Sequence, residues 1–158
     1  MAHVVSTLWF EKEVTEAVEF YISIIPNSRI IRKTTMPTET PSGPPGSVII
    51  VELSLGGQNF SAFEARRPEA FNYSFSIAVQ CESQAEIDRI WNAFLENGGS
   101  PQQCGWLKDR WGLSWQIAPR SLGDMVANPD REAAKRATEA MLQMVKLDIA
   151  ELERAFRG

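Results

Sequence analysis

Val14-Thr-Glu-Ala-Val-Glu-Phe-Tyr-Ile-Ser-Ile-Ile25 and Gln84-Ala-Glu-Ile-Asp-Arg-Ile-Trp-Asn-Ala-Phe-Leu-Glu-Asn97 are two versions of one pattern, and their reading decides the fold. Adding 70 carries Ala17, Phe20, Tyr21, Ile24 and Ile25 onto Ile87, Ile90, Trp91, Phe94 and Leu95. Apolar residues three and four apart describe one buried face of an amphipathic helix. Pro26-Asn27 closes the first helix and Gly98-Gly99 the second. Ser83, with Glu86 three residues on, supplies a capping box for the second.

The repeat extends outward from the helices. The same shift places Asn27 on Asn97 and Val4 on Ser74. A shift of 55 places Gly57 on Gly112, Phe60 on Trp115 and Ser61 on Gln116. Alternation and turn signals predict strands over His3–Phe10, Ser28–Thr35, Ser47–Leu55 and Gln58–Glu64, the last two joined at Gly56-Gly57. Tyr73–Cys81 alternates Phe75, Ile77 and Val79 against Ser74, Ser76 and Ala78, and short strands are expected near Gln102–Lys108 and Leu113–Ala118. The second copy is shorter by 15 residues, the difference between the shifts of 70 and 55, and Met36-Pro-Thr-Glu-Thr-Pro-Ser-Gly-Pro-Pro-Gly46 accounts for most of it. That loop, a surface connection or a lid, is neither helix nor central strand, because proline has no N–H to donate.

The expected fold is therefore α+β: two strand–helix–strand–strand–strand modules forming mixed sheets, in a single domain over 1–158. Module one spans about 1–66, module two about 70–120, and Arg66-Arg67-Pro68-Glu69 connects them. A helix over about 128–156 follows, with Asn128 as its cap and Pro129 as its first residue. Its stripe of Ala137, Met141, Met144, Ile149, Leu152 and Phe156 packs either on its own domain or on a second copy.

Composition excludes several function classes. Sixteen basic against twenty acidic side chains give a charge of −4, unsuited to displacing counterions from duplex nucleic acid. One histidine, His3, cannot supply a two-histidine metal site, and it reads as a surface residue near a frayed terminus. Cys81 and Cys104 are too few for a disulfide framework and lack metal-type spacing. No run approaches the ~18 apolar residues of a membrane helix. No leader is recognisable, so the expected compartment is the cytoplasm, with both thiols reduced.

Five segments carry a family resemblance: Leu8-Trp-Phe, Ala17-Val-Glu-Phe-Tyr, Pro26-Asn-Ser, Cys104-Gly-Trp-Leu-Lys-Asp-Arg-Trp-Gly-Leu-Ser-Trp-Gln116 and Ala140-Met-Leu-Gln-Met144. With them the chain resembles the vicinal oxygen chelate superfamily, the glyoxalase/bleomycin-resistance fold. The likeness is to its PhnB-like branch, labelled 3-demethylubiquinone-9 3-methyltransferase. The resemblance implies βαβββ modules whose curved sheets enclose a cavity, often completed in a homodimer. Metal-using members draw His, Gln or Glu ligands from the first and last strands of each module. Those positions map here onto Val4, Ser61, Ser74 and Gln116, of which only Gln116 is a plausible donor. The expectation is a site without metal or other cofactor.

On the inner faces so inferred lie Ser6, Leu8, Asn59, Ser61, Phe63, Ser74, Ser76, Ser114 and Gln116; the opposite parity would present Trp9, Phe60, Phe75 and Trp115 instead. The expected ligand cavity is lined by Leu8, Ser61, Phe63, Ser74, Ser76, Ser114 and Gln116, a mixed surface suited to a small organic molecule. No catalytic residue is assigned. Glu64 reads as a solvated strand end and Cys104 as a buried, inert thiol. Trp106, Trp111 and Trp115 either stack an aromatic ligand or pack in a core or dimer interface. The alternative is an enzyme: a metal-dependent lyase, isomerase or dioxygenase, or a methyltransferase as the branch is labelled. A nucleotide-type methyl-donor site needs a glycine-rich strand-to-helix turn, and Gly43-Pro-Pro-Gly46, Gly56-Gly57 and Gly98-Gly99 do not stand in that context.

Overall fold

The computed structural model describes residues 1–66 and 69–158. Arg67 and Pro68, in the expected connection between modules, lie outside the described residues. The chain divides into two compact units, Met1–Ala70 and Phe71–Gly158.

In the first unit the order is β1 (Ser6–Phe10), α1 (Val14–Ile24), β2 (Arg29–Thr35), β3 (Ile49–Leu55) and β4 (Gln58–Glu64). The sheet runs β1-β4-β3-β2, with β1 parallel to β4 and the other pairs antiparallel. The second unit repeats the plan: β5 (Ser76–Cys81), α2 (Gln84–Glu96), β6 (Ser100–Pro101), β7 (Trp106–Lys108) and β8 (Ser114–Pro119), ordered β5-β8-β7-β6. Both units are βαβββ modules, and the architecture is α+β.

One side of each sheet is buried against its helix. In unit one, Leu8, Phe10, Val51, Leu53, Phe60 and Ala62 are buried, as are Val14, Ala17, Val18 and Tyr21 of α1. In unit two, Leu107, Trp115 and Ile117 are buried, as are Ile87, Ile90, Trp91 and Phe94 of α2, with the Trp115 and Phe94 rings 4.8 Å apart. The helix spacing of 70 holds, but the strands do not follow it. Thr7 pairs with Ser61 and Ala78 with Gln116, so with Ser61 matched to Gln116 the first strands correspond at 71. A shift of one residue reverses which side a strand residue faces. β1 also begins at Ser6 rather than His3, and Val4 precedes it, 98% exposed.

The β3–β4 turn has positive φ at both Gly56 (55°) and Gly57 (88°), the geometry of a two-residue hairpin. The proline-rich loop is closed by a bridge between Thr40 and Gly43.

The C-terminal region departs from the single helix expected. It forms α3 (Ser121–Val126), α4 (Arg131–Leu142) and α5 (Ile149–Arg157). Asp130, not Asn128, caps α4 through its carboxylate and the Ala133 N–H, so Pro129 lies outside the helix. Residues 143–148 break the stripe because they pair elsewhere. The Cys104 and Gly105 N–H groups donate to Met144 and Val145 carbonyls, both at 2.8 Å. Gln84 accepts from the Ile149 N–H at 2.9 Å and donates to the Leu147 carbonyl at 3.1 Å. Gly105 is required there: a Cβ would stand 2.8 Å from the Ile117 carbonyl oxygen and 3.0 Å from Leu147. Arg136 ties α4 to the last turn of α5 through the Ala155 and Phe156 carbonyls. The stripe thus packs within its own unit at Ala137 and Leu152, both fully buried.

Candidate functional site

Each sheet has an open face opposite its helix. On sheet one, strand alternation and register put Thr7 and Trp9 beside Ser61 and Phe63, with Ile50 and Glu52 next in line. The Trp9 and Phe63 rings are 5.1 Å apart, and the Trp9 indole N–H donates to the Ala65 carbonyl at 3.1 Å. Arg32 pairs with Glu52 at 2.6 Å on the exposed surface, where such a pair contributes little. Ser61 and Phe63 therefore lie on the open face. Leu8 does not: it is 2% exposed on the helix side, and Trp9 takes its place on the open face. Three consecutive apolar residues, Leu8-Trp-Phe10, hid the parity. The polar Thr7 next to Leu8 was the available signal.

On sheet two, the open face carries Ser76 and Ala78 of β5, Ser114 and Gln116 of β8, and Trp106 and Lys108 of β7. The Gln116 amide donates to the Ser76 hydroxyl at 2.9 Å. Ser114 is fully buried, and its hydroxyl has no hydrogen-bond partner among the described residues. Ser74, also expected on this face, lies outside β5 in an exposed turn, with its N–H held by the Asn72 side chain at 2.8 Å. So Ser76, Ser114 and Gln116 come together on one face, and Ser61 and Phe63 on the other sheet.

Tyr73, Gln102 and Gln103, which sequence reasoning missed, adjoin Trp106 of the second face. An open depression of about 440 Å³ is lined by Tyr73, Gln102, Gln103 and Trp106. The Gln102 amide donates to the Tyr73 hydroxyl at 2.6 Å, and the Lys108 ammonium lies 4.2 Å from the centre of the Tyr73 ring. Trp106 and Lys108 alternate with the buried Leu107, and that i, i+2 pattern was legible in the sequence.

The remaining motif residues hold structure. Asp109 is buried; one carboxylate oxygen accepts from the Trp111 and Leu113 N–H groups at 2.9 and 3.0 Å, the other from the Trp115 indole at 2.9 Å. This fixes the β7–β8 turn and anchors Trp115 in the core. Trp111 lies beneath the Arg110 guanidinium, 4.4 Å away. Glu64 is no idle strand end: its carboxylate accepts from the Val14 N–H at 3.0 Å and caps α1. Cys81 is buried, and burial pushes its thiol up to about 11, so it stays protonated and unreactive near neutrality. Cys104, expected to be buried, is half-exposed at a positive φ of 60°.

Among the described residues, no group of three His, Cys, Asp or Glu side chains could hold a metal ion. The positions adjoining Ser61 and Gln116 in register are Thr7 and Ala78, not Val4 and Ser74. Neither hydroxyls nor a methyl group make a transition-metal site, so these positions do not fit the ion that the resemblance implies for metal-using members. Among the described residues the three strand-to-helix connections, Glu11–Glu13, Glu82-Ser83 and Arg120, lack glycine, so none can cradle a nucleotide in the Rossmann manner.

A family model described as 3-demethylubiquinone-9 3-methyltransferase matches residues 2–118. The chain belongs to this family. The match includes both βαβββ modules up to Ala118 and ends before α3; Ala140–Met144 lies outside it. Among solved structures, the chain resembles a PhnB protein of Bacillus cereus described by the same methyltransferase name. The TM-score is 0.62 at 25% identity, covering 73% of this chain and 98% of that one. A Pseudomonas aeruginosa protein aligns with TM-score 0.58 at 23% identity, covering 75% and 98%. The fosfomycin resistance protein FosX of Listeria monocytogenes aligns with TM-score 0.58 at 15% identity, covering 80% and 98%, a likeness of fold alone. No curated protein matches the chain. Among the described residues, no helix is long and apolar enough to cross a membrane.

Proposed function

We propose that this family member binds a small organic ligand on the open faces of its sheets, without a metal ion, as a cytoplasmic homodimer. The observation that carries the reading is the second open face. There the hydrogen-bonded pair Ser76–Gln116 stands among Ala78, Trp106 and the depression beside Tyr73. Such a surface offers a few directional polar groups among apolar ones, as small-molecule sites do. Ser61, Phe63 and Trp9 supply a second mixed surface on sheet one. Trp9 at 37% and Phe75 at 43% exposure leave aromatic surface of the kind a second copy covers.

The reaction is left unassigned. The methyltransferase in the family's name has no glycine-rich strand–helix turn to rest on here. Metal-assisted lyase, isomerase or dioxygenase chemistry would need donors that Thr7, Ser61 and Ala78 do not provide. Native mass spectrometry of the purified chain tests the proposal in one measurement. The expected spectrum is a dimer carrying an organic adduct and no divalent ion. One stoichiometric metal per chain, lost in Gln116→Ala, would overturn the metal-free reading.

A further inference from the structure

We infer that the Tyr73–Trp106–Lys108 corner of the second open face is a binding site for an aromatic anion. The inference rests on the reading above and names the ligand's chemistry.

Lys108 carries the charge argument. Its half-buried ammonium is held over the Tyr73 ring at 4.2 Å, and among the described residues it forms no ion pair and no hydrogen bond. An ammonium has three donors, and a ring face satisfies its charge only weakly, so the group is left able to take an anionic oxygen. Its register partner on β8 is Ser114, whose buried hydroxyl also lacks a partner. Among the described residues no carboxylate stands at ion-pairing distance from the ammonium. On a chain of net charge −4, a half-buried lysine without a carboxylate is a selective feature rather than part of a basic field.

The aromatic argument is independent of the charge. Trp106 sits two residues from Lys108 on the same face of β7 and lines the depression with Tyr73. Gln102 fixes the Tyr73 hydroxyl at 2.6 Å, so the ring is held in place by an amide and an ammonium rather than free to collapse into the gap. An open volume of about 440 Å³ with two aromatic side chains and two glutamines in its lining suits a flat ring. Lys108 stands outside that lining but over the Tyr73 ring that forms part of it, so the anionic group of a ring bound there meets it at the Tyr73 side. A carboxylate or phenolate on an aromatic ring meets both demands.

The test uses 1-naphthoate and its uncharged counterpart 1-naphthamide, titrated separately into the full ¹⁵N-labelled chain while the Trp106 indole N–H resonance is followed. Naphthoate is expected to move that resonance and to bind about tenfold or more tighter than the amide, as a charge-assisted contact implies. Lys108→Met should abolish the preference and Lys108→Arg should retain it; the side chain is not a core group, so both variants should fold. Equal affinity for the two probes would overturn the anion assignment while leaving a small-ligand site standing. A preference that survives Lys108→Met, or naphthoate binding that leaves Trp106 unmoved, would overturn the site itself.

Discussion

The two units share strand order, register plan and helix position, yet their open faces are unlike. Sheet one presents Trp9, Phe63 and Ile50 around an exposed Arg32–Glu52 pair. Sheet two presents Ser76, Ser114, Gln116 and Lys108 around Trp106. On the helix side the match is close: Phe60 answers to Trp115, Tyr21 to Trp91 and Ile24 to Phe94, all buried. The difference teaches that the helix-facing side sets the module, since it buries the area that stabilises the fold. The open side is released from that duty and can carry chemistry. Even helix capping is solved differently: α2 is capped locally by Ser83, and α1 by Glu64 from the last strand.

The widest separation between the two sides comes from truncating tryptophans. Trp115→Ala should destabilise the chain by about 3–5 kcal/mol, and Trp106→Ala by under about 1, read from urea midpoints at constant slope. Comparable losses would erase the distinction between structural and open faces. Asp109→Ala comes next, at about 2–4 kcal/mol, because it leaves two backbone N–H groups and the Trp115 indole without acceptors. Near-UV circular dichroism of the tryptophans should change with it, whereas an unchanged spectrum would mean the turn is held by other contacts.

Smaller still are the caps, each worth about 1 kcal/mol. Glu64→Ala and Ser83→Ala should cost alike in thermal melts; a negligible Glu64 effect would show that α1 needs no cap from β4. The smallest effect is one of pH. The Lys146 ammonium, then the Gln84 amide, hold the Asp88 carboxyl below its usual range. Its folded pKa is depressed, so its contribution is present above the unfolded value and fades as pH falls through the folded one. The protection of the Ile149 N–H, which Gln84 holds, taken as its exchange rate relative to the unfolded chain at the same pH, should fall below about pH 3.8 and stay constant between 5 and 7. A loss of protection across that neutral window would point to a different titrating group.

Much of this comparison was legible in the residues. Both helices were readable because their apolar positions keep a 3.6-residue period, and the glycine pair made the β3–β4 hairpin plain. The parity of β1 was not, because Leu8, Trp9 and Phe10 are all apolar and only burial separates them. Alternation already put Ser76, Ser114 and Gln116 on one face, but Tyr73 and Gln102 reach the candidate site from loops, which carry no period. The tail failed for another reason. Its stripe continues through 143–148, yet the carbonyls of Met144 and Val145 are taken by Cys104 and Gly105, and a long-range pairing leaves no local mark.

That pairing has a consequence for how the molecule is made. Gln84 waits for partners 63 and 65 residues further along, and Gly105 for a carbonyl forty residues on. During synthesis the first unit has all its sheet partners once Glu64 has emerged. The Cys104 and Gly105 N–H groups before β7 lack their acceptors until Met144 and Val145 are out, so the corner that carries Trp106 takes its full set of contacts well after the first sheet has its own.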